Sequence, residues 1–418
     1  MIVVLSIIGF LLLSFFIYKQ ALSTPANLRS YYWVGMSLKV LAGLSLGMVY
    51  SYYYAIGDTF EYFKDAKRVL IFFDESEVDY MAFVFGGVVP DALSEVLSFS
   101  QDRSQLFVRL LSLVAIFSFA NYWVVAIYMS IISFFGCWYL VNQIINYQEK
   151  GSLAAILAFV FIPSFIFWSS GVIKESLAVG GLTFLAGIFL RAYAGKKILL
   201  IEWFLFVVSL FVLWRLKYYW AALFLPSAFS AWVVHRCASK WVALKSYDVV
   251  IWIGVMGAMI LLVAQFHPNF YFSRIAEVIA DNYYAYAQSS QTPTIHYHEL
   301  QANWSSLLIN APWALFSSLF RPMVFEVTSL FQLVIALENT VLFFLIFLSI
   351  KNATAFWKSK DHLLLISTAA FIISLATFLA LSTPNFGTLS RYRIAFIPFL
   401  FYLLLYFPSQ QLRIKLKI

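Results

Sequence analysis

Residues 1–18 read MIVVLSIIGFLLLSFFIY and are followed by Lys19. No acidic or basic side chain interrupts this run. Its length approaches the roughly 20 residues that a helix needs to cross the hydrocarbon core of a bilayer. No basic segment precedes it and no small-residue cleavage site follows it, so it reads as a retained first helix and not as a leader peptide. Working outward, comparable apolar runs recur at about 33–54, 121–145, 152–168, 172–192, 199–215, 217–234, 248–265, 327–350, 362–381 and 391–407. The fold class expected is therefore an all-α polytopic membrane protein with about 11 transmembrane helices.

Composition points the same way. Of 418 residues, 62% are hydrophobic and 11% charged, against roughly 25% charged in an ordinary soluble domain. The net charge of +8 is dispersed through short loops, which argues for topology and against nucleic acid as a partner. The 13 Trp and 25 Tyr suit bilayer interfaces. Cys137 and Cys237 are too few and too far apart for a disulfide framework or a metal site.

Lys and Arg in short loops mark the cytoplasmic side. Lys19 and Arg29, Lys150, then Arg191, Lys196 and Lys197, then Arg236, Lys240 and Lys245, then Lys351, Lys358 and Lys360, and finally Arg413, Lys415 and Lys417 fall in every second loop. That phase places the N-terminus outside and the C-terminus in the cytoplasm. Segments 104–120 and 307–320 are apolar but would break the phase as single spans. They read as interfacial or re-entrant helices; as two extra spans they would raise the count to 13. The organisation expected is one membrane domain over 1–418. Two large extracytoplasmic loops, 55–120 and 265–325, bear the interfacial helices and pack across its outer face.

The first loop opens with Asp58, Glu61 and Asp65, whose spacing puts three carboxylates on one helix face. Such a face suits a general base or a divalent cation, or is simply a solvated helix start with acids at its positive end. The segment 161–176, FIPSFIFWSSGVIKES, reads as a tight outer hairpin carrying Lys174 and Glu175. There Lys174 either meets a lipid phosphate or pairs with Glu175. Between the sixth and seventh spans, Arg215 and Lys217 sit among aromatics (Trp214, Tyr218, Tyr219, Trp220), as a phosphate and sugar site or as an interfacial belt. Arg321 and Glu326 lead into the ninth span, which carries Glu338 near its middle. A carboxylate there is a helix tie or part of a buried site. Arg391 and Arg393 open the last span against the topological trend, and arginine binds phosphate through a forked geometry. A His296-x-His298-Glu299 run is a weak metal motif.

Four of these features together resemble the GT-C superfamily of membrane glycosyltransferases, which includes oligosaccharide polymerases of bacterial envelopes. They are Gly57-Asp58 heading a large first loop with Tyr62 and Ala66, the interfacial helices of that loop, the Trp168-Ser169-Ser170-Gly171-x-x-Lys174-Glu175 hairpin, and Arg391-Tyr392-Arg393 before Phe396-Ile397-Pro398-Phe399. The resemblance implies transfer from a polyprenyl-phosphate-linked sugar to a glycan or lipid-linked acceptor at the outer face of a bacterial cytoplasmic membrane. It implies Asp58 as base and Lys174, Arg321, Arg391 and Arg393 as phosphate contacts, beside which Arg215 stands as a candidate from its own aromatic setting. Glu61, Glu175, Glu326 and Glu338 would support them, and beyond a divalent cation no cofactor is implied. The chain departs from the family in lacking the paired acid after Asp58, in one extra span before the loop, and in having no soluble C-terminal domain. The rival readings are a repeat-unit polymerase or ligase of another fold, a transporter or flippase of lipid-linked glycans, and a scaffold.

Overall fold

Long apolar runs become helices because lipid offers the backbone no hydrogen-bond partners, and a helix satisfies its own. A computed structural model of the chain, in which residues 2–53, 57–74, 76–290, 293–351 and 353–416 are described, bears this out. Among those residues all regular structure is helical, with one isolated antiparallel bridge, Thr294 to Asn385, and no strand. Among the described residues seven helices are long and apolar enough to cross a membrane: Ile2–Ser23, Ala26–Tyr52, Tyr122–Tyr147, Lys174–Tyr193, Leu244–Val263, Leu330–Ile350 and His362–Ser382. A pair bent by 60°, Phe386–Ala395 with Ile397–Pro408, makes an eighth if it counts as one span. The molecule is an integral helical membrane protein. The side chains of Arg413 and Lys415, and Lys417 with its backbone, lie outside the described part, as do residues 54–56 at the head of the first expected loop.

The eleven expected spans are not reproduced as eleven continuous helices, and each shortfall has a local cause. The run at 152–168 is cut into Ser152–Val160 and Pro163–Trp168, because Pro163 has no amide hydrogen to continue the first helix. The runs at 199–215 and 217–234 are joined in one helical stretch of 41 residues, Leu200–Lys240, broken by non-helical angles at Lys217 (φ −143°, ψ 60°). That break is a reversal. Glu202 pairs with Arg191 at 3.3 Å, while His235 stacks on Tyr193 at 4.0 Å. A straight helix would hold Glu202 and His235 about 50 Å apart, yet both meet the same turn of the Lys174–Tyr193 helix. The last expected span, 391–407, is the bent pair.

The chain divides into two compact units. The first comprises Met1–Asn142, Ile166–Phe184 and Val207–Tyr218. Its expected loop folds into helices Asp58–Phe72, Glu77–Val84, Asp91–Ser94 and Asp102–Ile116. Thr59, Tyr62, Phe63, Ala66 and Val69 recur at helical spacing and are buried, and the last four share one apolar cluster with Phe83, Leu106, Phe107 and Leu111. Elsewhere in the unit, small residues let helices touch. A Cβ on Gly136 would lie 2.0 Å from the carbonyl oxygen of Gly180, the close approach that glycine permits between membrane helices.

The Ser169–Ile173 turn is deeper than the sequence suggests. Lys39 is the middle residue of the Ala26–Tyr52 helix, and its Nζ donates to the Ser169 carbonyl and to Ser133 Oγ, both at 3.0 Å, and to Ser169 Oγ. The Gly171 amide, at φ +75°, donates to Ser130 Oγ at 2.9 Å. The turn thus sits level with the midpoints of two span-length helices, where an outer surface hairpin was expected. Its non-helical backbone is tolerated because protein polar groups surround it.

The second unit comprises Gln143–Phe165, Leu185–Phe206 and Tyr219–Ile418. Its expected loop contains helices Ile275–Ser289 and Trp304–Phe320, the latter packed on His362–Ser382. Tyr147 and Gln148 donate to Asp361 at 2.5 and 2.9 Å, and His362 meets Asp248 at 2.8 Å. These ties hold the helix ends of this unit together.

Within the first unit, Glu175 is 1% exposed and pairs with Lys217 at 2.7 Å, so the Lys217 break is held by a buried ion pair. Removing one partner of such a pair costs about 3–5 kcal/mol, whereas replacing both by apolar groups is far milder. We expect Glu175→Ala to lower the melting temperature of the detergent-purified protein markedly, and Glu175→Leu combined with Lys217→Leu to recover most of the loss. A single-variant shift under about 1 °C, roughly what one kcal/mol produces in a protein of 418 residues, would contradict this role.

Candidate functional site

Each unit holds half of the ten residues singled out from the sequence. Asp58, Glu61, Lys174, Glu175 and Arg215 fall in the first. Arg321, Glu326, Glu338, Arg391 and Arg393 fall in the second.

In the first unit the three acids of the Asp58–Phe72 helix separate into different roles. Asp58 is the exposed first residue of the helix. Glu61 pairs with Lys64 at 2.6 Å, and that hydrogen bond holds its carboxyl below the usual range. Asp65 is wholly buried; it pairs with Arg68 at 2.6 Å and accepts from the Ser98 amide at 2.9 Å. Two of the three carboxylates expected on one face, Glu61 and Asp65, also share Ser98 Oγ, which lies 3.4 and 3.1 Å from them. Asp65 lies at the edge of the apolar stripe and fastens the helix to the 97–99 turn.

Lys174 and Glu175 do not pair with each other. Successive residues at the start of the Lys174–Tyr193 helix point about 100° apart, so each finds its own partner. Lys174 Nζ donates to Ser104 Oγ at 2.8 Å and lies 5.0 Å from the Tyr62 ring centre, while Glu175 takes Lys217. Arg215 is exposed beside that pair. Arg109 donates to the Gly87 carbonyl at 3.0 Å and stacks on Phe83. Burial, and after it the charge of Arg215, weakens the hold of Arg109 on its proton. Lys174, Arg109 and Arg215 thus gather positive charge around the packed loop helices.

The second unit is built around Glu338 and Asn339, buried in the Leu330–Ile350 helix. Glu338 Oε1 accepts from the Ser164 amide at 2.6 Å, where the chain restarts after the Pro163 break. Asn339 Nδ2 donates to the Pro322 carbonyl at 2.9 Å, and its Oδ1 accepts from Arg393 Nη2 at 2.5 Å. Arg393 precedes the bend at Phe396 and is 1% exposed. Its Nε and Nη1 are buried without a hydrogen-bond partner, and so is Glu338 Oε2. Glu338 and Arg393 feel each other's charge but do not meet as an ion pair.

Arg321 is committed elsewhere. Its Nε and Nη2 donate to Glu326 Oε1 at 2.8 and 2.5 Å, and its guanidinium lies 4.8 Å from the Phe386 ring centre and 5.4 Å from that of Trp313. Its neighbour Pro322 bonds Asn339, two turns into the Leu330–Ile350 helix. Arg391 is half-buried in the last turn of the Phe386–Tyr392 helix. The His296–Glu299 run acts through its backbone: Asn310 accepts from the His298 amide and donates to the His298 carbonyl, both at 3.0 Å. Among the described residues no three His, Cys, Asp or Glu side chains gather to hold a metal.

Sequence reasoning missed Lys39 and the partnership of Asn339 with Arg393. A lone lysine inside an apolar run was the available signal for Lys39. Nothing local announces that Asn339 reaches residues 17 and 54 positions away. Comparison of the chain with protein-family models, with curated proteins and with solved structures finds no match in any of the three.

Glu326 gives this unit a measurable acid sensitivity. Burial alone would raise its carboxyl, but the Arg321 hydrogen bonds, the Met323 amide and the charge of Arg321 outweigh burial and hold it below the usual range. A depressed carboxylate stabilises the fold in full above its unfolded pKa, about 4.3, and the contribution is lost as pH falls through the folded value. We expect Glu326→Gln to melt below the wild type at pH 7, with the gap closing below about pH 4. A gap that persists unchanged in acid would contradict the assignment.

Proposed function

We propose that the protein is a membrane glycosyltransferase of cell-envelope glycan assembly, taking a polyprenyl-phosphate-linked sugar at the extracytoplasmic face of the bacterial cytoplasmic membrane. In this reading the N-terminus is outside and the C-terminus cytoplasmic, as the phase of the basic loops implies. The observation that carries the proposal is Arg393. A guanidinium stays charged, and an ion taken out of water costs several kcal/mol unless it is paired and hydrogen-bonded. Arg393 is buried with two nitrogens uncommitted, so it is equipped for an anionic group. A phosphate is the anion that arginine recognises best.

Three further features support the reading. Non-helical backbone beside Glu338 and Asn339 occurs in membrane proteins where it lines a wet cavity or is buried in protein. Aromatics of the second loop come close: Trp313 flanks Arg321, and Tyr286 meets Tyr392 at 3.4 Å, which suits a sugar ring. Lys174, Arg109 and Arg215 add a second set of cations. The resemblance gives Asp58 the part of base. Discontinuous helices with buried charge are also the mark of transporters, and the breaks at Pro163, Lys217 and Phe396 favour that as the second reading.

The test is to follow sugar-labelled lipid-linked glycans in membranes containing the protein. We expect label to pass from the lipid-linked pool into a larger product, and Arg393→Gln to lower kcat/KM for the lipid-linked donor by about 10²-fold, the size of a lost charge-assisted contact. Label that crosses the bilayer still attached to its original lipid would establish transport instead.

A further inference from the structure

The Glu338–Arg393 pair is arranged for more than holding an anion. Each member is anchored by one bond, Glu338 through the Ser164 amide and Arg393 through Asn339 Oδ1. Each also keeps a buried polar atom without a partner. The two side chains sense each other's charge without contact. With Glu338 ionised, its Oε2 can only accept, while the Arg393 nitrogens can only donate. The group that satisfies both at once is a hydroxyl, which donates to the carboxylate and accepts from the guanidinium.

We infer that Glu338 is the general base of the transfer, taking its proton from an acceptor hydroxyl held between Glu338 Oε2 and Arg393. This rests on the glycosyl-transfer reading and moves the base from Asp58 to Glu338. In the step, the acceptor oxygen bonds to the anomeric carbon of the donor as the bond from that carbon to the phosphate oxygen breaks. The bonding pair leaves with the polyprenyl phosphate, whose new negative charge Arg393 faces. The hydroxyl proton passes to Glu338 Oε2, and the carboxyl later returns it to solvent.

Position supports Glu338 over Asp58. A base must be held within hydrogen-bond reach of the proton it takes. Glu338 is fixed by a 2.6 Å bond on a span-length helix, whereas Asp58 is exposed at the first residue of its own helix. Glu338 lies about 12 Å along the helix from its first residue, Leu330, by helical rise. Beside it runs the irregular 321–329 segment, whose Pro322 carbonyl bonds the neighbouring Asn339. That places the base below the helix end but next to non-helical chain.

The experiment uses the full-length protein in native membranes with the sugar-labelled lipid-linked pool, comparing wild type, Glu338→Gln, Glu338→Asp and Asp58→Asn. Glu338→Gln keeps an oxygen to accept from the Ser164 amide, so the fold should hold, and a melting curve of the purified protein checks it. We expect Glu338→Gln to lower kcat by about 10²–10⁴-fold, the range for a lost general base. KM for the lipid-linked donor should stay within about twofold, since the base does not hold the donor in the ground state. Glu338→Asp should retain part of the rate, and Asp58→Asn should cost less of kcat than Glu338→Gln does. Full activity in Glu338→Gln, a loss confined to KM, or a loss that appears only in Asp58→Asn would overturn the inference and leave the glycosyl-transfer reading standing. A loss accompanied by a collapsed melting curve in both Glu338 variants would assign the residue to structure and also overturn it. No transfer by the wild type would overturn the reading itself, and the inference with it.

Discussion

Two adjacent polar residues in an apolar helix, Glu338 and Asn339, hold together what the rest of the second unit leaves loose. A chain that breaks its helix inside a membrane frees backbone groups that lipid cannot satisfy. The Ser164 amide and the Pro322 carbonyl are two such groups. They end on Glu338 and Asn339 respectively. Arg393, at the bend before Phe396, ends on Asn339 as well. Without this pair, three discontinuities would each leave a buried polar atom unmet, at about 1–3 kcal/mol apiece. With it, a span-length helix becomes the post to which three irregular segments are tied.

The first unit solves the same problem with charge. Lys39 caps the Ser169 turn through two serines, and Glu175 with Lys217 closes the break in the Leu200–Lys240 stretch. Buried ions are poor stabilisers compared with packed apolar groups. Their presence in a chain with so few charges marks the places where non-helical structure is kept. Such places are where a membrane protein can present polar groups to a substrate, and Arg393 with Glu338 is one instance, among the described residues, in which charged side chains keep uncommitted polar atoms.

Much of this was legible in the sequence, and the limits are physical. Apolar runs gave helices at 2–18, 121–145 and 362–381 because length and hydropathy suffice to fix a span. They failed at 152–168 because one proline weighs little in a hydropathy reading yet ends a helix. The 199–234 region was correctly divided at Lys217, since two cations among aromatics interrupt an apolar stretch. The individual charges at Lys174, Glu175, Arg321 and Glu338 stood out because ionisable residues are rare in such a chain. Their pairings did not. Glu175 meets Lys217 across 42 residues and Glu338 meets Ser164 across 174, and no local pattern encodes those distances. Lys174 and Glu175 are neighbours in sequence that the fold sends to different partners, Ser104 and Lys217.

The claim that Arg393 faces a lipid-borne phosphate is tested most directly by native mass spectrometry of the protein released from its membrane in mild detergent. The account predicts that the wild type retains a polyprenyl-phosphate lipid and that Arg393→Gln, folded to the same melting temperature, does not. Retention of bulk phospholipid alone, or of the same polyprenyl lipid by both proteins, would contradict it.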